Sequence, residues 1–148
     1  MLVPLRLPPD GDCSFCAYLA GERPYTILDR DEETALLVTW EQRGLGHVVA
    51  IPIAHRVTIF DLASSEANAL MKTTIRAAAA IRDAFDPDGI LVWQNNGVPA
   101  HQSVPHVHVH IAGTVPGGRT IDGPVQRFST DQTDAIADRL RPHLPPAR

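Results

Sequence analysis

Alternating histidines in one short run constrain the fold of this chain more than any other feature of its sequence. Three imidazoles alternate with three β-branched residues in the run His106-Val107-His108-Val109-His110-Ile111. This period predicts a β-strand, because successive side chains of a strand point to opposite faces. The valines and the isoleucine should enter a core, while the three imidazoles line the other face, roughly 7 Å apart.

A polar row of this kind can also be the solvated side of an amphipathic strand. That interpretation predicts a mixture of Thr, Lys, Glu and Ser, whereas the row here holds only histidine. Imidazole is used mostly for metal binding, proton transfer and nucleophilic attack. We therefore interpret the histidine row as functional.

Size and charge narrow the class of protein. With 148 residues, of which 44% are hydrophobic, the chain is expected to form a single domain over residues 1–148. Thirteen Lys and Arg against seventeen Asp and Glu give a net charge of −4 without a basic stripe, so no nucleic-acid partner is expected and a small substrate is favoured.

Targeting signals are also missing from the sequence. No apolar run approaches the roughly 18 to 20 residues of a membrane span, and residues 1–10 lack a basic region followed by an apolar one. We expect no membrane association and a soluble, cytoplasmic protein.

The two cysteines, Cys13 and Cys16, form a C-x-x-C motif. A thioredoxin-like redox motif would follow a strand, which residues 7–12 do not supply. Half of a zinc site is favoured, and its two missing ligands are expected to be histidines. A redox pair or two simple core cysteines remain the alternatives.

The rest of the chain is predicted as several strands and two helices. Residues 1–24 have the composition of irregular structure, and strands are predicted over 25–28, 34–40, 47–53 and 90–94. An apolar stripe with spacings of three and four predicts a long helix over 64–85, capped by Ser64 or Ser65. A capping box at Ser129 predicts a last helix over about 131–141. We therefore predict an α+β fold, with about five antiparallel strands, the long helix on one face and a second, C-terminal helix.

Four motifs in sequence order resemble the histidine-triad (HIT) family of nucleotide hydrolases and transferases, in its bacterial type with a C-x-x-C zinc motif. The resemblance covers residues 12–113 approximately. Its motifs are Cys13-Ser14-Phe15-Cys16 with Gly21-Glu22-Arg23-Pro24, then Gly46-His47-Val48-Val49-Ala50-Ile51-Pro52 with His55, then Asn95-Asn96-Gly97 before Gln102-Ser103-Val104, and finally the alternating histidines.

The resemblance implies a HIT-like fold and attack on the α-phosphorus of a nucleoside phosphoramidate or dinucleoside polyphosphate. It implies His108 as the nucleophile that forms a nucleotidyl-histidine, with His110, His47 and Ser103 around the phosphate. It also implies a structural Zn²⁺ bound by Cys13, Cys16, His55 and His106, and a homodimer. Substrate-binding positions implied by the resemblance are Asn95, Gln102 and the ribose position, which Thr39 occupies. His101 is added as a candidate, because its side chain would either narrow the phosphate site or add a donor. Trp40 is a candidate for stacking on the base, with packing against the strand's core face as the open alternative.

Three departures from the family pattern lie near this implied site. His101 occupies a position where the family usually has glycine, and Pro105 directly precedes His106. Thr39 stands where family members commonly hold the ribose with Asp or Asn, and its one hydroxyl cannot make the bidentate contact of a carboxylate.

Two other functions compete with this interpretation. Alternating histidines can ligate a catalytic metal, as in a metallohydrolase or a cupin-like enzyme. That function needs a nearby carboxylate, and residues 98–118 contain neither Asp nor Glu. The third possibility is a non-catalytic nucleotide-binding protein.

Overall fold

A five-stranded antiparallel sheet forms the centre of the computed structural model, which describes residues 2–147. The elements in chain order are α1 (Ser14–Leu19), β1 (Ile27–Arg30), β2 (Thr34–Val38), β3 (Glu41–Gln42), β4 (Leu45–Pro52), α2 (Ser64–Phe85), β5 (Ile90–Gln94), β6 (Val109–Gly113), β7 (Gln126–Arg127) and α3 (Thr130–Leu140). The strand order in the sheet is β1-β2-β4-β6-β5. The predicted α+β architecture, with one long and one C-terminal helix, is confirmed.

The central strands β2 and β4 are covered on both faces. One face, with Leu36, Val48 and Ala50, packs against α2 and α3, and the other, with Leu37, Val49 and Ile51, packs against Phe15 of α1. Burial on both faces explains why the sequences of these strands are nearly continuous apolar runs. The site lies on the α1 side of the sheet.

Helix α2 has the predicted bounds, but its first turn is capped differently from the prediction. Ala63 occupies the N-cap position, and its backbone N–H donates to the Glu66 carboxylate over 2.8 Å. Ser64 and Ser65 are therefore the first two helical residues. Within residues 2–147 no helix has both the length and the apolar character that a bilayer crossing needs.

Two local predictions were wrong. The segment expected to be irregular contains α1, whose N-cap is Cys13, with its thiol sulfur accepting from the Cys16 N–H. The histidine strand begins only at Val109, so residues 106–108 precede the ladder. Pro105, which has no N–H to donate to a ladder, directly precedes this stretch, and side chains still alternate between the two faces of the sheet.

Two short strands were not predicted. Residues 114–128 follow β6 and lead into β7, which pairs with β3 as a separate two-stranded sheet in the register Glu41↔Arg127 and Gln42↔Gln126. Two-residue strands carry too little pattern to be recognised in a sequence. Their pairing brings Arg127 beside the predicted substrate site.

Candidate active site

His108 is held in one orientation and one tautomer. Its Nδ1 lies 2.7 Å from the His106 carbonyl oxygen, which can only accept, so Nδ1 carries the proton. Its Nε2 therefore keeps the lone pair. Burial lowers the pKa of His108, which is 7% exposed, and the ring is neutral near pH 7. A neutral imidazole with a free Nε2 is the form that attacks phosphorus.

His47 and His110 form a chain with a defined direction. The Arg43 N–H donates to His47 Nδ1 over 3.1 Å, so His47 carries its proton on Nε2. His47 Nε2 lies 3.0 Å from His110 Nδ1, which must accept. His110 therefore presents an Nε2–H donor. Burial, followed by the charge of Arg43, lowers the pKa of His47 to about 3.

His110 stays neutral for similar reasons. Burial and then the neighbouring His108 and His47 rings lower its pKa to about 2. The Trp93 indole, which pairs with His110 in the β5–β6 register, stacks on its ring at 4.7 Å between centroids and an interplanar angle of 5°. A neutral ring fixed in this way acts as a hydrogen-bond donor toward developing negative charge.

A cavity of about 230 Å³ opens in front of these histidines. Its lining residues are Ser14, Phe15, Tyr18, Tyr25, Thr39, Trp40, Glu41, Val49, Ser103, Val104, His108, His110 and Arg127. Five of the predicted catalytic and substrate-binding residues thus meet in one place: His108, His110, Ser103, Thr39 and Trp40. His47 lies behind His110 and acts on the cavity through it.

Aromatic side chains form one wall of the cavity. Tyr18 stacks on Tyr25 with centroids 4.0 Å apart, and Trp40 lies against Tyr25 at 4.7 Å. Within residues 2–147, the Trp40 Nε1 is the buried side-chain nitrogen or oxygen that has no hydrogen-bond partner. The Arg127 guanidinium carbon lies 5.7 Å from the Trp40 ring centroid. A guanidinium nitrogen of Arg127 also lies 3.5 Å from the Glu41 carboxylate.

The remaining predicted substrate-binding residues shape the loop before the triad. The buried Gln102 amide accepts from the Gly97 N–H over 2.7 Å and donates to the Val57 and Val104 carbonyls. Asn95 donates to the Ala100 carbonyl over 2.8 Å. His101 is exposed, has a left-handed φ of 68° and does not line the cavity. Glycine adopts this conformation without strain, which explains the glycine expected there.

The four predicted metal ligands come together on the other side of His108. One ligand atom from each of Cys13, Cys16, His55 and His106 lies within 4.8 Å of the others. The Cys16 sulfur is 3.3 Å from His55 Nδ1 and 3.5 Å from His106 Nδ1, and the two Nδ1 atoms are 3.3 Å apart. A tetrahedral Zn²⁺ with ordinary bond lengths separates sulfur from nitrogen by about 3.6 Å and two nitrogens by about 3.4 Å. The cluster therefore fits an ion of this size and geometry.

Outer partners orient both imidazoles toward the cluster. His55 Nε2 lies 2.7 Å from the Asp10 carboxylate, and His106 Nε2 lies 2.8 Å from the Pro52 carbonyl. Each Nε2 thus carries the proton, and each Nδ1 keeps its lone pair for a metal. Without a cation, burial and the neighbouring Cys13 raise the pKa of Cys16 to about 12, so the thiolate needs a positive charge beside it.

Several residues of the site were not predicted from the sequence. Trp93 could have been found, because an antiparallel neighbour of the histidine strand must place one residue of 90–94 opposite His110. Arg43 and Arg127 carry no motif. Arg43 contacts His47 through its backbone N–H, which any residue except proline supplies, and Arg127 reaches the cavity through the pairing of β7 with β3.

The comparisons with known proteins agree with this geometry. The HIT domain family model matches residues 20–117. The Protein hit of Bacillus subtilis is 34% identical over 100 residues, covering 68% of this chain and 69% of that protein. An adenosine 5′-monophosphoramidase of Schizosaccharomyces pombe is 32% identical over 102 residues, covering 67% and 71%.

One similar solved structure is of a protein that binds zinc. The crystal structure of a Zn-bound histidine triad family protein from Mycobacterium smegmatis matches with a TM-score of 0.78 and 26% identity, covering 92% of this chain and 95% of that one. With the family model matching most of the chain and the triad at the cavity, the chain belongs to the HIT domain family.

Proposed function

We propose that this protein is a nucleotidyl hydrolase or transferase that attacks the α-phosphate of a nucleoside phosphoramidate or dinucleoside polyphosphate. The observation that carries the proposal is the fixed neutral tautomer of His108, with Nε2 free beside the cavity. Membership of a family with nucleotide-hydrolysing relatives supports it.

His108 Nε2 forms the new bond to phosphorus in the first step. The bond from phosphorus to the leaving group breaks and the leaving group takes the electron pair: a phosphate departs as its anion, and an amine departs neutral after its nitrogen takes up a proton from solvent. The ring becomes a nucleotidyl-imidazolium whose Nδ1–H stays bonded to the His106 carbonyl. Water or another acceptor then attacks the same phosphorus and loses its proton to solvent. The bond from phosphorus to Nε2 breaks, its electron pair returns to the ring as a neutral imidazole, and the nucleotide is released.

His110 and Ser103 are the donors that we assign to this phosphate. The neutral His110 ring donates its Nε2–H to a phosphoryl oxygen as charge develops there. Ser103 lines the cavity with an exposed hydroxyl, which donates to another oxygen or to the leaving group. His47 acts behind His110 by holding its tautomer.

The aromatic wall is proposed as the nucleoside subsite. Tyr18, Tyr25 and Trp40 offer apolar faces to a base, and Thr39 lies next to them for the ribose. The unpaired Trp40 Nε1–H is available to a ligand oxygen. Arg127 adds the positive charge that an anionic substrate needs. His101, which is exposed in the loop before the triad, is proposed as a contact for the leaving group.

Gln102 and Asn95 are proposed to act through the loop backbone. Both side-chain amides are bonded to loop carbonyls or amides. They therefore fix the position of the loop that carries Ser103, and a substrate would meet backbone donors that they have placed.

A structural zinc is proposed at Cys13, Cys16, His55 and His106, on the fit of the four ligand atoms. The metal would fix His106, whose carbonyl holds the His108 tautomer. Among residues 2–147 no other group of His, Cys, Asp and Glu has a comparable spacing. The competing assignment of His108 and His110 as ligands of a catalytic metal therefore has no support in the geometry.

Homodimerisation through β5 is part of the proposal. This edge strand has no charged residue, and Val92 is 47% exposed, whereas the opposite edge, β1, carries Asp29 and Arg30. Uncharged edges tend to be covered. Sedimentation of the protein before and after Val92→Lys tests it, with a dimer that becomes a monomer as the expected result.

The function is tested with an adenosine phosphoramidate and the His108→Ala variant. We expect the native protein to release adenosine monophosphate through a trappable adduct on His108, and the variant to keep less than about 1% of the activity. Nucleotide binding should stay within about tenfold, because the ring acts mainly on the transition state. Binding without turnover in the native protein would instead establish the non-catalytic alternative.

A further inference from the structure

The turn between β3 and β4 encloses the backbone of His47. The Gln42 side chain accepts from the His47 N–H over 3.1 Å and donates to the His47 carbonyl over 2.8 Å. Gln42 is 5% exposed and also donates to the Thr39 carbonyl. The position of the His47 imidazole is therefore set by this turn and by the group that contacts its Nδ1.

Arg43 contacts that Nδ1 with one end and a distant loop with the other. Its backbone N–H donates to His47 Nδ1 over 3.1 Å. Its guanidinium donates to the Ile121 carbonyl over 3.0 Å and to the Gly123 carbonyl over 3.4 Å. The residue thus spans from the buried histidine pair to the segment that follows the triad strand.

The segment after the triad is packed tightly against the same turn. A Cβ on Gly44 would clash with the Gly113 carbonyl and would lie 2.7 Å from Thr120 Cγ2. Thr120 is itself 2% exposed, and its hydroxyl accepts from the Val115 N–H over 3.0 Å. The carbonyls that hold Arg43 therefore have a fixed support.

We propose that Arg43 is a positioning residue that sets the direction of the hydrogen-bond chain through His47 to His110. Its amide makes Nδ1 the acceptor of His47, so the His47 proton must lie on Nε2 and the His110 proton on the outward Nε2. Its guanidinium, bound to the loop carbonyls, keeps that amide in place. The catalytic consequence rests on the proposed function, whereas the proton positions do not.

The opposite direction of this hydrogen-bond chain would remove a donor from the site. If His47 carried its proton on Nδ1, that proton would face the Arg43 N–H, and two donors would oppose each other in a buried place. His110 would then donate from Nδ1 to His47, and its Nε2 lone pair would face the phosphate. A lone pair beside an anionic oxygen repels it, so the site would lose a donor. The positive charge of Arg43 favours the neutral rings as well, since burial and then this charge lower the pKa of His47.

The experiment compares Arg43→Met with Arg119→Met as a matched control. Met at position 43 keeps the backbone N–H but loses both carbonyl contacts. Arg119 lies in the same post-triad segment, and its guanidinium reaches the Asp122 carbonyl and carboxylate. Imidazole ¹⁵N NMR reports which ring nitrogen is protonated, without any substrate. Arg43→Lys is measured in parallel, as a milder change that keeps a charge and one donor group.

We expect single Nε2–H tautomers of His47 and His110 in the native protein and in Arg119→Met. Arg43→Met should give mixed tautomers, with a kcat about tenfold or more below native, since losing one oriented donor costs about 10²- to 10³-fold. KM should stay within about threefold, and Arg43→Lys should recover part of kcat.

The opposite results are equally clear. Unchanged tautomers in Arg43→Met, with kcat within about twofold of native, would overturn the proposal. So would a native spectrum with the His47 proton on Nδ1. If Arg43→Met does not fold, the tautomers of Arg43→Lys decide in the same way. A native protein with the expected tautomers and no turnover would refute the proposed function alone.

Discussion

At the scale of single residues, the chemistry of this site follows from where each imidazole places its proton. Carbonyl acceptors fix the protons of His106 and His108, and a backbone donor fixes that of His47. One residue type can therefore serve as a metal ligand, a nucleophile or a neutral donor. The residue types allow these roles, and the partner of each ring nitrogen assigns them.

Thr39 predicts weak discrimination between ribose and 2′-deoxyribose. Its hydroxyl, which accepts from the Glu41 N–H over 3.2 Å, offers a single neutral donor to the sugar. We expect kcat/KM for ribo and deoxy substrates to differ by less than about tenfold, or about 1.4 kcal/mol. Thr39→Asp should widen this ratio, because a carboxylate can bind both ribose hydroxyls.

Steady-state kinetics with paired ribo and deoxy phosphoramidates provide this measurement. A hundredfold preference in the native protein would contradict the expectation. The Trp40 indole N–H would then be the first group to test as a ribose contact.

At the scale of elements, the short helix α1 is held by side chains from other parts of the chain. Six residues are too few for a stable isolated helix. Cys13 and Cys16 lie in the candidate metal cluster with His55 and His106, and Phe15 packs on His106 and His108. The candidate cluster thus joins α1 to the stretch that precedes β6.

Cys13→Ser should release the metal and lower the thermal stability without removing a catalytic side chain. A structural site contributes folding free energy directly. Metal analysis and calorimetry of the native and variant proteins give the measurement. A native protein purified without chelator that holds no zinc would contradict this prediction.

Gly46→Ala should destabilise the entry into β4. Gly46 has a φ of +61°, and a Cβ there would lie 2.8 Å from Phe85 Cε2. Overpacking of a core typically costs about 1–3 kcal/mol, and the left-handed backbone adds about 1 kcal/mol. Gly117→Ala is the matched control, because Gly117 has a φ of +92° but a Cβ added to it would meet no atom within 4 Å. Urea denaturation should therefore show the larger loss for Gly46→Ala.

At the scale of the whole molecule, burial of several histidines between the sheet and its covering loops links stability to pH. His47 and His110 keep neutral rings in the fold, with pKa values lowered to about 3 and about 2 from an ordinary 6.5. Only the unfolded chain takes up protons on these rings as the pH falls below 6.5. The burial of these neutral rings therefore stabilises the fold in full above pH 6.5. This stabilisation is lost progressively as the pH falls toward the pKa values of the folded state.

The free energy of unfolding should therefore decrease on acidification, with a slope that approaches about 1.4 kcal/mol per pH unit for each of these two histidines once the pH is well below 6.5. His47→Gln should show a shallower decrease than the native protein. His143→Gln, an exposed site near the C-terminus, serves as the control and should not differ from native. Denaturation curves between about pH 7.5 and pH 5 test this expectation, and equal slopes for all three proteins would contradict it.

Sequence patterns alone were sufficient for features that depend on local periodicity or on a motif. The apolar stripe of α2 gave its bounds, since a helix must repeat its buried face every three or four residues. Alternation gave the opposite facing of histidines and valines. The spacing of Cys13 and Cys16 gave half of the candidate metal cluster, and the family resemblance named His55 and His106 as the other half.

Only the folded structure decided which nitrogen of each imidazole carries the proton, because that depends on backbone carbonyls and amides that a side-chain pattern does not place. It also decided that β3 and β7 pair, bringing Arg127 to the aromatic wall, and that Arg43 contacts His47. Two-residue strands and backbone donors leave no periodic trace in a sequence. Local sequence therefore determined the longer elements and the positions of the histidines and cysteines. The folded backbone determined which ring nitrogens are protonated, since hydrogen-bond partners are chosen by distance in space.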